Sequence, residues 1–395
     1  MIIKGFKMKK KISIILSIAL LSTINLSAFD IKKKSGDVDT KLKIYGFSQL
    51  EARSGDGVIK DNQDADILFS AQRIRLGVNY TADKVFGKLF IDFNKAHDDK
   101  SGIGMPDMVK DVFVGYMHSN ELFAKIGVMK MPHGMGFTIP GWNLDVIERG
   151  LDKKLAMERS MGIMISGRGI GGSGNKVNGF EMGHERPWHG FGYDFMVANQ
   201  AGRSGAIKNA KKGNDNAYAM RVMYDNGETL HTELSYGISS QAGGIKDQEI
   251  DGKALTQGTV AYKSINFGVD SHFGKGNAKF EYFDSQNLQG VNDWDESSYA
   301  ITGTYYLTDN MEMALKHIQA NAEKSNVSTD LGNTYIGLNI YLAPFNNKMN
   351  RAEKRKRNAH RIQLNYVIAS GDKEKWNGLG GYRDDAILTQ YQYKF

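Results

Sequence analysis

Arg73 and Arg75 stand two residues apart in Phe69–Tyr80, where Ile74, Leu76, Val78 and Tyr80 alternate with Arg73, Arg75, Gly77 and Asn79. In an extended chain that spacing puts both guanidinium groups on one face. Two fixed cations on a face make no bonds; they attract and orient anions, as rings of Arg and Lys do in pores. The same alternation sets Lys88, Lys125, Arg168, Arg221, Lys279, Lys316 and Arg361 opposite apolar neighbours. Asp92, Asp111, Asp194, Glu233, Asp270, Glu281 and Glu312 share that face, so ion pairing within a wall competes with any shared role in guiding anions. Lys130 and Arg149 flank a long apolar connection and complete the candidate anion path.

Other constellations carry less chemistry. His184-Glu-Arg-Pro-Trp-His189 has a His pair, but Pro187 argues against a helical zinc site. Asp61, Asp64 and Asp66 lack the turn glycine and closing glutamate of a calcium loop. Gly169-Ile-Gly-Gly-Ser-Gly174 lacks the Lys-Ser/Thr ending of a phosphate cradle and reads as a turn. No Ser-His-Asp spacing is diagnostic. These patterns predict no metal, no cofactor and no catalytic residue.

The elements that would position the cations are strands. Segments of period-two alternation follow one another from Lys41 to Phe395 with hardly a helical interruption, about 16 in all. Long connections fall near 53–66, 96–107, 131–159, 201–215, 240–263, 287–297, 321–332 and 370–385, alternating with short turns such as Asp225-Asn-Gly227. The stretches 169–190 and 343–358 break the rule, and the second carries Lys348, Arg351, Lys354, Arg355, Lys356 and Arg357. Within 131–159, Met131, Met135, Phe137, Ile139, Pro140, Trp142, Leu144, Val146 and Ile147 are too apolar for a solvated tip and need somewhere to bury.

The N-terminus supplies an address. Lys4, Lys7, Lys9, Lys10 and Lys11 precede an apolar run from Ile12 to Leu21, and Leu26-Ser-Ala28 suits cleavage: a secretory signal. The formal charge of +7 includes those five lysines, so the chain after Ala28 is only +2 and a nucleic-acid partner loses its support. Cysteine is absent. Abundant glycine, five prolines, and many Tyr and Phe suit a barrel whose alternate residues face a polar lumen.

Lys125-Ile-Gly-Val-Met-Lys-Met-Pro132 followed by Val146-Ile-Glu-Arg149 resembles the outer-membrane phosphate-selective porins of the O and P type. Arg73-Ile-Arg-Leu-Gly77, Gly337-Leu-Asn-Ile-Tyr341 and Gln363-Leu-Asn-Tyr366 are similar to that family too. The resemblance implies a 16-stranded barrel narrowed by its third external loop, and a homotrimer. The ending Tyr391-Gln-Tyr-Lys-Phe395 resembles the signal read by the outer-membrane assembly machinery. One departure stands out: Met131 to Ile147 offers only His133 and Asp145 as ionisable groups, where the family clusters basic residues.

The expectation is an all-β transmembrane antiparallel β-barrel of about 16 strands, with a long third external loop folded into the lumen. Residues 1–28 would be the signal peptide, 29–40 a periplasmic N-terminal segment and 41–395 the barrel. Its function would be passive diffusion of small hydrophilic solutes and ions across the bacterial outer membrane, with a weak anion preference and phosphate among the candidates. A barrel-embedded lipid hydrolase and a closed barrel acting in adhesion are the competing readings.

Overall fold

The computed structural model describes residues 29–35, 38–55, 67–95, 108–172, 189–199, 216–227, 229–239, 249–250, 253–254, 260–342 and 357–395. The signal segment, the acidic triplet 61–66, most of the 184–189 motif and the basic stretch 348–356 lie outside these residues.

Strands β1 (Phe29–Ser35), β2 (Val38–Gly55), β3 (Leu68–Ala82), β4 (Val85–Asp92), β5 (Val109–Met117) and β6 (Phe123–Lys130) form the first part of the wall. They are followed by β7 (Arg159–Ile170), β8 (Gly190–Asn199), β9 (Asn216–Asp225) and β10 (Leu230–Ser239). Two-residue strands β11 (Glu249–Ile250) and β12 (Lys253–Ala254) pair only with each other. The wall resumes with β13 (Tyr262–Phe273), β14 (Gly276–Gln286), β15 (Trp294–Tyr306) and β16 (Met311–Lys324). It ends with β17 (Val327–Tyr341), β18 (His360–Gly371) and β19 (Ala386–Lys394).

Each wall strand pairs antiparallel with the next, and β10 pairs with β13 across the small ladder. The last strand then meets the first: Ala386 to Lys394 runs against Gly55 to Phe47. That contact closes a 16-stranded barrel. Phe395 and Gly46 exchange backbone hydrogen bonds of 3.0 Å, and β1 continues along the same edge of β2, with Phe29 opposite Ile44. Residues 29–35 are therefore paired strand, and β2 itself starts at Val38.

The two faces of the wall are inverted relative to a water-soluble sheet. On β10, His231, Glu233 and Ser235 are buried while Leu234 is 50% exposed. Val222, Ile301, Leu315 and Ile336 likewise point outward and exposed, while Arg221, Glu281, Glu312 and Arg361 point inward and are buried. Only a nonaqueous exterior makes this arrangement favourable. Among the described residues no helix is long and apolar enough to cross a membrane; the strands do so instead.

Two connections differ from expectation. The supposed loop at 321–332 is a two-residue turn, Ser325–Asn326, with β16 and β17 laddered up to Lys324 and Val327. Both turn residues have left-handed φ, 52° and 64°, the geometry whose twist matches a tight hairpin. The reason the alternation misleads is that it reverses there. His317, Gln319, Asn321 and Glu323 point outward, while Ile318, Ala320 and Ala322 point inward and are fully buried. The connection near 287–297 also shortens, because β15 begins at Trp294.

The third loop, 131–158, folds into the lumen as expected. It contains one helical turn, Met135–Thr138, and short 3-10 turns at Gly141–Asn143 and Leu151–Lys154. Met131, Met135, Phe137, Trp142, Leu144, Val146 and Ile147 are buried, and Ile139 and Pro140 half-buried. Met131 and Phe137 pack with Met164, Met196, Ala217, Ala219 and Phe283, and Trp142 packs with Tyr45, Phe47 and Phe90. Val146 and Ile147 seat on a smooth inner wall patch where Ala300, Ala314, Ile318, Ala320, Ala322 and Leu331 face inward. Small side chains there let the loop approach the sheet closely.

The inverted faces give a direct test. Leu234→Arg, on the outward face of mid-β10, should cost about 2–4 kcal/mol, read as a lower urea midpoint for the vesicle-embedded barrel.

Candidate functional site: the constriction

The loop is pinned to the wall by side chains that satisfy its backbone. Ser235 Oγ accepts from Gly134 N (3.2 Å), Asn266 Oδ1 from Met135 N (3.1 Å) and the Glu281 carboxylate from Gly136 N (2.9 and 3.0 Å). Asn365 Oδ1 accepts from Ile147 N (2.8 Å), and Asn339 donates to the Asp145 carbonyl (2.9 Å). Gln49 and Gln392 donate to the carbonyls of Gly141 and Trp142, each at 3.1 Å. A buried loop cannot leave these groups unmet, so polar wall residues spaced around the barrel fix its path.

His133 is a particular anchor. Its Nδ1 accepts from Met157 N (3.1 Å), so the proton sits on Nε2, which faces the Ser264 carbonyl at 3.2 Å. The ring joins the two ends of the loop and binds them to β13. Burial holds its pKa down at about 4.

A second loop, 372–385, folds inward above the first. Trp376, Leu379 and Tyr382 are buried. Leu379 N donates to Glu296 (2.9 Å), Tyr382 N to Asn333 (2.8 Å), and the Tyr382 hydroxyl to Glu148 (3.0 Å). The sequence analysis marks 370–385 only as a long connection, although the rule that exposed the third loop, an apolar loop needs a seat, applies equally to Trp376, Leu379 and Tyr382.

Together the two loops fill the lumen against β13–β18 and leave a cavity of about 110 Å³ along β3–β7. Six of the eleven expected cations line it: Arg73, Arg75, Lys88, Lys125, Lys130 and Arg149. Lys110, Lys153 and Arg159 line it as well, with Asp111 and Glu158 as the acidic lining residues. The cluster is therefore supplied mostly by the wall, where a count of the loop's own charges could not find it. Lys110 escaped for a local reason. The register of β4 against β5 slips between Phe90 and Ile91, leaving Lys110 as an extra residue, so Lys110 and Asp111 both turn inward.

The cations are not equivalent. Arg75 pairs with Asp92 (2.8 Å), and Asp111 takes both Lys88 (3.1 Å) and Arg159 (2.7 Å). Lys130 donates to the carbonyls of Phe137 and Thr138, at 2.8 and 3.0 Å, and works as a tether. Arg73 and Arg149 differ: Arg73 donates to the amide oxygens of Gln49 and Gln72, Arg149 to the carbonyls of Gly136 and Ile139. Among the described residues neither lies within ion-pair distance of a carboxylate, so each is oriented by neutral acceptors and keeps its charge. Burial first, then Arg75 and Arg159, pulls Arg149 down to about 10, where it is still charged at neutral pH.

The other five expected cations lie elsewhere. Arg168 and Arg221 both grip Asp194 (2.9 and 2.6 Å), and Arg221, Glu233, His231 and Asp225 extend this into a buried wall network at the short-turn end. Lys279 pairs with Asp145 of the third loop, and Lys316 donates to the Arg149 carbonyl and lies 3.7 Å from Asp152. Both are loop clamps. Arg361 is 1% exposed near the start of β18.

No protein-family model matches the chain, and no curated protein matches its sequence. Solved structures do match its fold. OmpT, an outer-membrane protein of Vibrio cholerae, is 11% identical with a TM-score of 0.59, over 90% of this chain and 99% of that one. The outer-membrane channel DcaP of Acinetobacter baumannii is 14% identical with a TM-score of 0.56, over 94% and 100%. An anion-selective porin from Comamonas acidovorans is 14% identical with a TM-score of 0.55, over 90% and 100%. The fold is thus that of outer-membrane porin barrels, and with the inverted faces it places the chain in the bacterial outer membrane.

The His133 contacts carry a pH prediction. An undocked His titrates near ~6.5, whereas the docked ring resists protonation down to about 4. Docking is fully supported above the higher value and weakens as pH falls toward the lower, by up to roughly 3 kcal/mol. Single-channel recordings should show rising open-channel noise between those limits, and His133→Gln should flatten that dependence.

Proposed function

We propose that the chain is a porin that lets small hydrophilic solutes and ions diffuse across the outer membrane, with a preference for anions, inorganic phosphate among them. The observation that carries this is the constriction itself. The third loop confines the path to the β3–β7 wall, where nine basic side chains line one cavity beside two acidic ones. Arg73 and Arg149 hold their charge there on neutral oxygens, with no carboxylate within ion-pair distance among the described residues. In a narrow site walled by low-dielectric protein such charges act far more strongly than in bulk water.

The remaining roles follow the same reading. Residues 1–28 direct export and are removed, and residues 29–40 remain on the periplasmic side. Phe395 presents the end of the closing strand to the assembly machinery. The chain acts as a homotrimer, a state described for the in-vitro folded OmpT of Vibrio cholerae. It is placed within the phosphate-selective O and P porins on the strength of the motifs at 73–77, 125–132 and 146–149. The chain performs no catalysis and needs no cofactor.

Reversal potentials across a planar bilayer in a potassium chloride gradient test the proposal. The wild-type channel should be anion-selective, and Arg73→Gln with Arg149→Gln should lower the anion-to-cation permeability ratio several-fold. A cation-selective wild type would sink the reading.

A further inference from the structure

The cations of the constriction are interleaved with rings. The Lys125 ammonium lies 5.6 Å from the Phe113 ring centroid, and Lys130 and Arg149 lie 5.0 and 6.0 Å from that of Phe137. Phe113 and Pro140 are only half-buried, and both line the cavity. A channel for hydrated inorganic ions has no use for half-exposed rings at its narrowest point. Leaving them wet forgoes the free energy that covering them would release.

We propose that the constriction binds small organic monoanions with a planar apolar body, aromatic monocarboxylates being the class. The carboxylate is received by the guanidinium groups of Arg73 and Arg149, whose flat forks suit it. The ring of the ligand lies against Phe113 and Pro140, with the Lys125 ammonium 5.6 Å from the Phe113 ring centroid beside it. This refinement rests on the anion-preferring reading above and adds recognition of the apolar part.

The test uses the full-length channel in a planar bilayer with chloride as the current carrier. Benzoate, acetate and inorganic phosphate are added in turn, and the concentration that halves the chloride current is read. Benzoate should block at a concentration about tenfold below acetate and phosphate, as covering a phenyl group implies. Phe113→Leu should close most of the gap between benzoate and acetate. Equal blocking by benzoate and acetate, or stronger blocking by phosphate than by either, overturns the proposal, because the site then reads charge alone. A gap that survives in Phe113→Leu overturns it too. If that variant does not assemble, judged by heat-modifiable gel mobility, the wild-type ranking decides. Failure of the parent reading looks different: the reversal potential is then cation-selective before any blocker is added.

Discussion

Hydrocarbon offers no partner to a backbone N–H or C=O, so a sheet that crosses it must have no free edge. In this chain the requirement is met by one ladder, the nine residues of β19 against the outer half of β2. Everything else follows from that closure. Once the sheet is a cylinder, each strand has an outside and an inside. The period-two sequence then decides which residues meet lipid and which meet water. The buried Arg, Asp and Glu side chains of the wall are tolerable because they pair with one another along its lumen face, as Arg168, Asp194 and Arg221 do on neighbouring strands.

The lumen is divided by side-chain size as well as by charge. The inner face of β15 and β16 carries alanines amid the polar residues of a β13–β18 wall that receives two folded loops; the β3–β7 wall is faced with cations and stays open. The placement of the loops and the position of the cation cluster are therefore set together. The side chains that hold the loops, Glu281, Asn266, Asn339, Asn365 and Lys316, are polar wall residues spent on loop backbone. Arg73 and Arg149 are themselves held by neutral oxygens, which steers their charge toward the path.

Much of this was legible in the sequence, and the failures are instructive. Strand alternation identified the barrel and the lipid face, because the two faces meet different solvents over most of each strand. The apolar content of 131–147 revealed the folded loop. The same signs failed at 321–332, where loops fill the lumen and Ala320 and Ala322 face inward, so the polarity code runs backwards. Lys110 was missed because a bulge breaks the period at one residue. That Arg73 and Arg149 would line one cavity, while Lys279 and Lys316 would become clamps, depends on where the loop crosses. No linear spacing records that.

The hairpin at Ser325–Asn326 has a consequence for the outward-facing surface of the cell. Strands of 13, 14 and 15 residues in β15, β16 and β17 exceed the ~9–11 needed to cross. Their upper ends carry polar residues on the outside and remain laddered to the tip. On that side the rim is a stiff parapet of paired backbone. An antibody or phage tail reaching it meets a surface of fixed shape, and a protease finds only two unladdered residues between β16 and β17.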